Sequence, residues 1–185
     1  TKLSDIKKWC YDNGRAYWEY VAEHEDEGIW DYLQEIWEAM KRSVERGIER
    51  EGRLPGPLNL QRKAFTYYVK AKGYRKNLQT RGLVYAYALA VSEENASGGT
   101  IVTAPTCGSC GIMPAVLYHL AKGHEFSDNK ILHALATGGL VGNIVKQNAS
   151  ISGADVGCQG EVGVACAMAS AAACQIFGGS PAQIE

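Results

Sequence analysis

No stretch of about 18 consecutive apolar residues occurs, so nothing in the chain reads as a membrane span. The opening residues, Thr-Lys-Leu-Ser-Asp-Ile-Lys-Lys-Trp-Cys, lack the apolar core of a secretory signal. A surplus of one charge is missing too. Nineteen Lys and Arg stand against 20 Asp and Glu, for a formal net charge of -1, which leaves no electrostatic footprint for nucleic acid. No segment sustains a period-two alternation, and Ile101-Val102 is too short to stand as a strand, so the expected fold is all-α. Six cysteines in a chain without a signal argue for reduced thiols or metal ligation instead of a disulfide framework, in the cytoplasm.

What is present is helical pattern and glycine. The 185 residues suffice for one domain with a sizeable core, and ten Tyr and four Trp mark it as folded material. Ser4 is a candidate cap for a helix over Asp5 to Asn13, stopped at Asn13-Gly14. From Asp26 to Arg50 the apolar residues Ile29, Trp30, Leu33, Ile36, Trp37, Met40, Val44 and Ile48 recur at helical spacing, a stripe for the core or for a subunit contact. Leu54-Pro55-Gly56-Pro57 breaks the pattern. Further helices are predicted over Leu60 to Lys72 and Gly82 to Asn95, with Tyr74 to Thr80 as a polar link between them. Glu93-Glu94-Asn95 and Ser97-Gly98-Gly99 end the second. Ser127-Asp128 opens a helix carrying Gly138, Gly139 and Gly142, each costing about 1 kcal/mol relative to Ala, which points to close helix contact. Glu161 to Phe177 reads as a buried Ala-rich helix, followed by a cap at Ser180 with Pro181 as its first helical residue. His119, His124 and His133 read as structural.

Two stretches carry chemistry. In Lys146 to Cys166, four glycines at 153, 157, 160 and 163 are interleaved with Asn148, Ser150, Ser152, Asp155 and Gln159, short polar groups able to hold a small ligand. Cys158 stands among them ahead of a helix, where the macrodipole favours a thiolate as metal ligand or nucleophile. In Ile101 to Gly111, the hydroxyls of Thr103 and Thr106 and the amides of Gly108 and Gly111 meet at a helix N-terminus, a natural carboxylate site. Cys107 and Cys110 form a C-x-x-C pair. Zinc would need two more ligands, with His119 well down the next helix, and a redox pair would need a βαβ context. Otherwise Cys107 shapes the pocket and Cys110 packs beneath it.

The run Asn-Ala-Ser-Ile-Ser-Gly-Ala-Asp-Val-Gly-Cys-Gln-Gly-Glu-Val-Gly resembles the cluster-ligand motif in the α part of iron–sulfur-dependent L-serine dehydratases. The likeness extends from about Ile29-Trp30 to the last residue. It includes the Arg53-Leu54-Pro55-Gly56 turn, the Glu-Glu-Asn with its glycine pair, and Thr103-Ala104-Pro105-Thr106 leading to Pro114-Ala115. Cys107 stands where that family commonly has Asn, so no role of that Asn carries over. The resemblance implies a lyase converting L-serine to pyruvate and ammonia with an oxygen-sensitive [4Fe–4S] cluster, one iron of which polarises the departing hydroxyl. No pyridoxal phosphate is implied. It places the first cluster cysteine at Cys158 and the other two beyond the position of Glu185.

On this reading residues 1–185 are one α-type helical domain and a piece of a longer protein, since the chain starts without Met and ends as a helix opens. Residues 1–25 are a candidate linker to an upstream β part. The piece is expected to lack the cluster and to be inactive by itself. Implied partners are L-serine, the β part (fused or separate) and further copies of the chain. The proton-abstracting base is not identified. Two alternatives stand: the related iron–sulfur cysteine desulfidase, and a non-catalytic helical module binding zinc through Cys107 and Cys110.

Overall fold

The apolar stripe beginning at Ile29 becomes the central helix of the computed structural model, which describes residues 2–185. In chain order the helices are α1 (Leu3–Asn13), α2 (Tyr17–His24), α3 (Ile29–Glu49), α4 (Ala64–Lys72), α5 (Lys76–Ala96), α6 (Ile112–His124), α7 (Asp128–Asn148), α8 (Gly153–Ile176) and α9 (Pro181–Ile184). A single 3-10 turn at Cys107–Ser109 precedes α6. Among the described residues the only extended pairing is an isolated antiparallel bridge between Arg53 and Gln61, so the fold is all-α. Among the described residues no helix is long and apolar enough to cross a membrane.

Trp37 of α3 is 1% exposed and sits in the main core with Met40 and Val44, against Val91 of α5, Met113 and Leu117 of α6, Ile131 and Leu135 of α7, and Met168 and Ala172 of α8. Its indole N–H donates to Asp128 Oδ1 at 3.0 Å, which ties α3 to the first turn of α7. Small residues set how closely the helices approach. A Cβ at Gly47 would stand 2.3 Å from the Ala90 carbonyl oxygen, so α3 and α5 touch backbone to backbone. Gly138 and Gly142 let α7 close on α8: a Cβ at Gly138 would meet the Met168 carbonyl oxygen at 3.0 Å, and one at Gly142 the Met168 sulfur at 2.8 Å. Gly139 faces open space, so two of the three glycines on α7 serve the helix contact expected of them.

Several boundaries differ from expectation. The first helix starts at Leu3 with Lys2 as its N-cap, and the Asp5 carboxylate accepts from the Lys2 amide at 3.0 Å, so Ser4 lies inside it. Tyr17–His24 forms a separate helix, and Gly14, left-handed with φ 64°, makes the turn into it. The polar segment Lys76–Thr80 is the first turn of α5 and not a link. Gly82, which looked like a helix start, lies within α5, where a Cβ would meet Ala71 Cβ at 2.8 Å in the α4–α5 hairpin. The α8 helix is not wholly buried: Cys166 is exposed and Cys174 half-buried, because α7 and α6 cover only one of its faces.

The C-terminal end of α5 carries two buried acids. Glu94 has no exposed surface and pairs with Arg46 at 3.0 Å, Arg50 at 2.9 Å and Arg62 at 3.6 Å. Glu93 accepts from the Lys63 and Ala64 amides at 2.6 and 3.2 Å, satisfying donors at the start of α4. His133 of α7 stacks on Trp18 with ring centroids 3.7 Å apart and meets Trp30 edge-on. Burial lowers its pKa, with Glu19 opposing.

Two predictions follow from these contacts. Glu94→Gln removes the buried charge shared by Arg46, Arg50 and Arg62, leaving Arg62 only Glu93 at 4.0 Å, and stability should fall by about 3 kcal/mol, or roughly 10 °C in melting temperature. A calorimetric melt within a couple of degrees of the parent would refute this. For His133 the folded-state pKa is below the unfolded one, so the unfolded chain takes up the proton first as pH falls. Stability is therefore lost below about pH 6.5, the ordinary histidine value. His133→Phe keeps the stack and removes the titration, so its melting temperature should decline less between about pH 7 and pH 5. His119, also lowered by burial, keeps the slope from vanishing.

Candidate active site

The Thr-rich loop enters α6 through the turn at Cys107–Ser109, with Gly111 as N-cap. Gly111 is buried, and a Cβ there would stand 2.5 Å from the Ala88 carbonyl oxygen, so it serves the α5–α6 contact. Cys107 and Gly108 are exposed at the tip, and the Cys107 carbonyl accepts from Asn95 Nδ2 at 3.1 Å. Cys110 is buried beneath, its thiol pushed up to about 11 chiefly by burial, with Cys107 and Glu161 adding to the shift. Thr103 faces elsewhere: with Pro105 it lines a cavity of about 450 Å³ together with Asn143, Lys146, Glu25 and Tyr32.

The second stretch begins where α7 ends. Asn148 Nδ2 donates to the Ile144 carbonyl at 2.8 Å. Ser150 donates to Asp155 Oδ2 at 2.8 Å and accepts from the Ser152 amide at 3.1 Å, while Ser152 Oγ accepts from the Ala154 amide as the N-cap of α8. The hydroxyls expected to hold a ligand are thus engaged in shaping the turn. Gly157, with φ 74° and ψ 169°, breaks α8 after its first turn, a conformation that favours glycine. Cys158 is therefore the first residue of the long helical segment running to Ile176, and it is exposed.

The residue that brings the two stretches together is Glu161, which sequence reasoning treated as the start of a helix. Thr106 Oγ1 donates to Glu161 Oε1, and Ser109 Oγ lies 3.2 Å from the same hydroxyl. A Cβ at Gly108 would stand 2.6 Å from Glu161 Oε1, and a Cβ at Gly153 would stand 2.6 Å from Oε2. One carboxylate is thus bedded between the backbones of both motifs. A signal was available, since Glu161 lies three residues after Cys158 and so on the same helix side. That it meets Thr106 depends on the tertiary fold.

Among the described residues no three His, Cys, Asp or Glu side chains are grouped to hold a metal ion. Cys107 and Cys110 lie in different environments, one exposed and one buried, and no third donor joins them.

The family model described as serine dehydratase alpha chain matches residues 5–185. An L-serine dehydratase of Haemophilus influenzae is 44% identical over 191 residues, covering 97% of this chain and 42% of that protein. L-serine dehydratase 2 of Escherichia coli is 41% identical over 194 residues, covering 100% and 43%. An L-serine dehydratase of Streptomyces coelicolor is 44% identical over 185 residues, covering 97% and 39%. The chain spans about two fifths of the length of these curated relatives. With a match over nearly all its residues and the two motifs joined at one site, the chain belongs to the serine dehydratase alpha chain family.

Proposed function

We propose that this chain is the α portion of an L-serine ammonia-lyase of the iron–sulfur type. The overall reaction removes the Cα proton and the β-hydroxyl of L-serine as water, and the aminoacrylate so formed hydrolyses to pyruvate and ammonia. The observation that carries the reading is the placement of Cys158: exposed, first in its helical segment, and joined through Glu161 to the Thr-rich turn. The relatives' names favour serine over a thiol substrate.

The residues present do not make a complete [4Fe–4S] site. Cys158 offers one accessible thiol in a suitable setting, while three ligands are not grouped anywhere among the described residues. Further thiolates would come from other parts of the full-length protein, together with a β part. What this chain supplies is substrate positioning. The substrate carboxylate docks at the head of α6 beside the Cys107–Ser109 turn, where helix-terminal amides favour an anion against the repulsion of the Glu161 carboxylate bedded at Gly108. Thr106 has a single hydroxyl proton and gives it to Glu161, so the backbone amides carry most of this contact. Asn148, Ser150 and Ser152 shape the corner that leads into α8, and Thr103 lines the neighbouring cavity.

Cys158→Ala in the full-length enzyme should abolish the cluster's visible absorbance and pyruvate formation together after anaerobic reconstitution. Retention of both would remove Cys158 from the site. The 185-residue chain alone should show a helical circular dichroism spectrum with a cooperative melt and no stoichiometric iron. About four irons per chain, the content of one such cluster, would mean that Cys107, Cys110 or Cys166 completes a site with Cys158.

A further inference from the structure

We propose that Glu161 is a positioning residue, a clasp that fixes the carboxylate-binding turn at Thr106–Gly111 relative to the cysteine turn at Gly157-Cys158. The proposal rests on the functional reading above and adds a residue with a defined role to it. The Glu161 carboxylate meets Thr106, the Gly108 backbone and the start of α8 at Gly153, and its own helix carries Cys158. Oε1 accepts the Thr106 hydroxyl and lies over Gly108, while Oε2 lies over Gly153. A methyl group at either glycine would displace the carboxylate, so the absence of side chains at 108 and 153 is what makes its seat.

The clasp acts on Cys158 through rigid helix. Cys158 and Glu161 belong to one helical segment, three residues apart on the same side. Holding Glu161 against Thr106 therefore sets where the thiol stands relative to the Cys107–Ser109 turn. Along the chain the two turns are joined through α6, α7 and the Ala149–Ser152 corner, and α8 also packs directly on α6. Buried Ser109, 3.2 Å from Thr106 Oγ1, keeps the Thr106 hydroxyl oriented toward the carboxylate. Glu161 is thus placed to govern the distance between a bound carboxylate and the group held at Cys158, the two ends of a β-hydroxy amino acid.

The test separates position from chemistry. Spin labels on the exposed Cys107 and Cys158 of the 185-residue chain, with Cys166 and Cys174 replaced by Ser, report the distance between the turns by pulsed dipolar spectroscopy. Glu161→Gln retains an acceptor for Thr106 and should leave the distribution narrow, whereas Glu161→Ala should broaden or shift it. In the full-length enzyme Glu161→Ala should lower kcat/KM for serine by about tenfold or more with iron content and melting temperature kept, and Glu161→Gln should stay within about threefold. If the alanine variant folds poorly, Gly153→Ala, which forces the carboxylate off its seat while leaving it in the chain, serves for the same comparison. An unchanged distance distribution in the alanine variant would overturn the proposal, and so would unchanged kinetics. A full-length parent enzyme that forms no pyruvate from serine would instead overturn the functional reading, and the distance measurement would still decide the role of Glu161.

Discussion

A carboxylate with no exposed surface, Glu94, constrains the architecture more than any other single group. Removing a charge from water costs several kcal/mol, which only close counter-charges offset. Arg46 and Arg50 reach it from α3, and Arg62 reaches it from the segment before α4. Arg62 Nη1 lies close enough for charge attraction to both acids, at 3.6 and 4.0 Å, without forming a hydrogen bond to either. The same cluster extends into the functional loop. Arg46 also donates to the Thr100 carbonyl at 2.7 Å, and Asn95, next in sequence to Glu94, donates to the Cys107 carbonyl. Both ends of the stretch between α5 and the 3-10 turn are therefore pinned by groups at or beside one buried ion cluster.

The second constraint is how closely the helices approach. Gly47 against Ala90 and Gly138 against Met168 bring backbones within reach of one another, and Gly142 makes room for the Met168 side chain, which larger residues would prevent. Each mid-helix glycine costs about 1 kcal/mol in helix propensity, and the contact it permits must exceed that. The same principle reappears at Gly108 and Gly153, where the space admits a carboxylate instead of a helix. Glycine in this chain thus makes room for backbone in the core and for a functional side chain at the surface.

Much of the helical frame was legible in the sequence because its stops are chemically unambiguous. Gly14, Gly98-Gly99, Ser127 and the Ser180-Pro181 pair fall at or beside observed boundaries, whereas the Leu54–Pro57 breaker lies within a longer non-helical stretch and the helix expected from Leu60 begins at Ala64. Lys76–Thr80 was misread because it lacks an apolar period, and its helicity comes from continuity with α5. The first turn of α8 was missed for a related reason. Four glycines argue for a loop, yet the Ser152 cap and the Ser150–Asp155 bond organise a helical turn that only Gly157 interrupts. The burial predicted for Cys166 followed from composition, which does not reveal which faces of a helix the neighbours cover. At the site, Cys158 stood out locally, whereas the Thr106–Glu161 contact joins distant segments and no local pattern announces it.

The stack of His133 on Trp18, with Trp30 at its edge, gives the molecule an optical property of its own. An imidazolium ring in contact with an indole quenches its emission far more than a neutral one does. Trp18 belongs to α2, Trp30 to α3 and His133 to α7, so this emission depends on three helices remaining docked at one junction. Trp37 is enclosed in the core, and Trp9 rests against Tyr20 and His24. Intrinsic fluorescence therefore reads the seating of the N-terminal helix pair on the body of the domain, with no dye or engineered label.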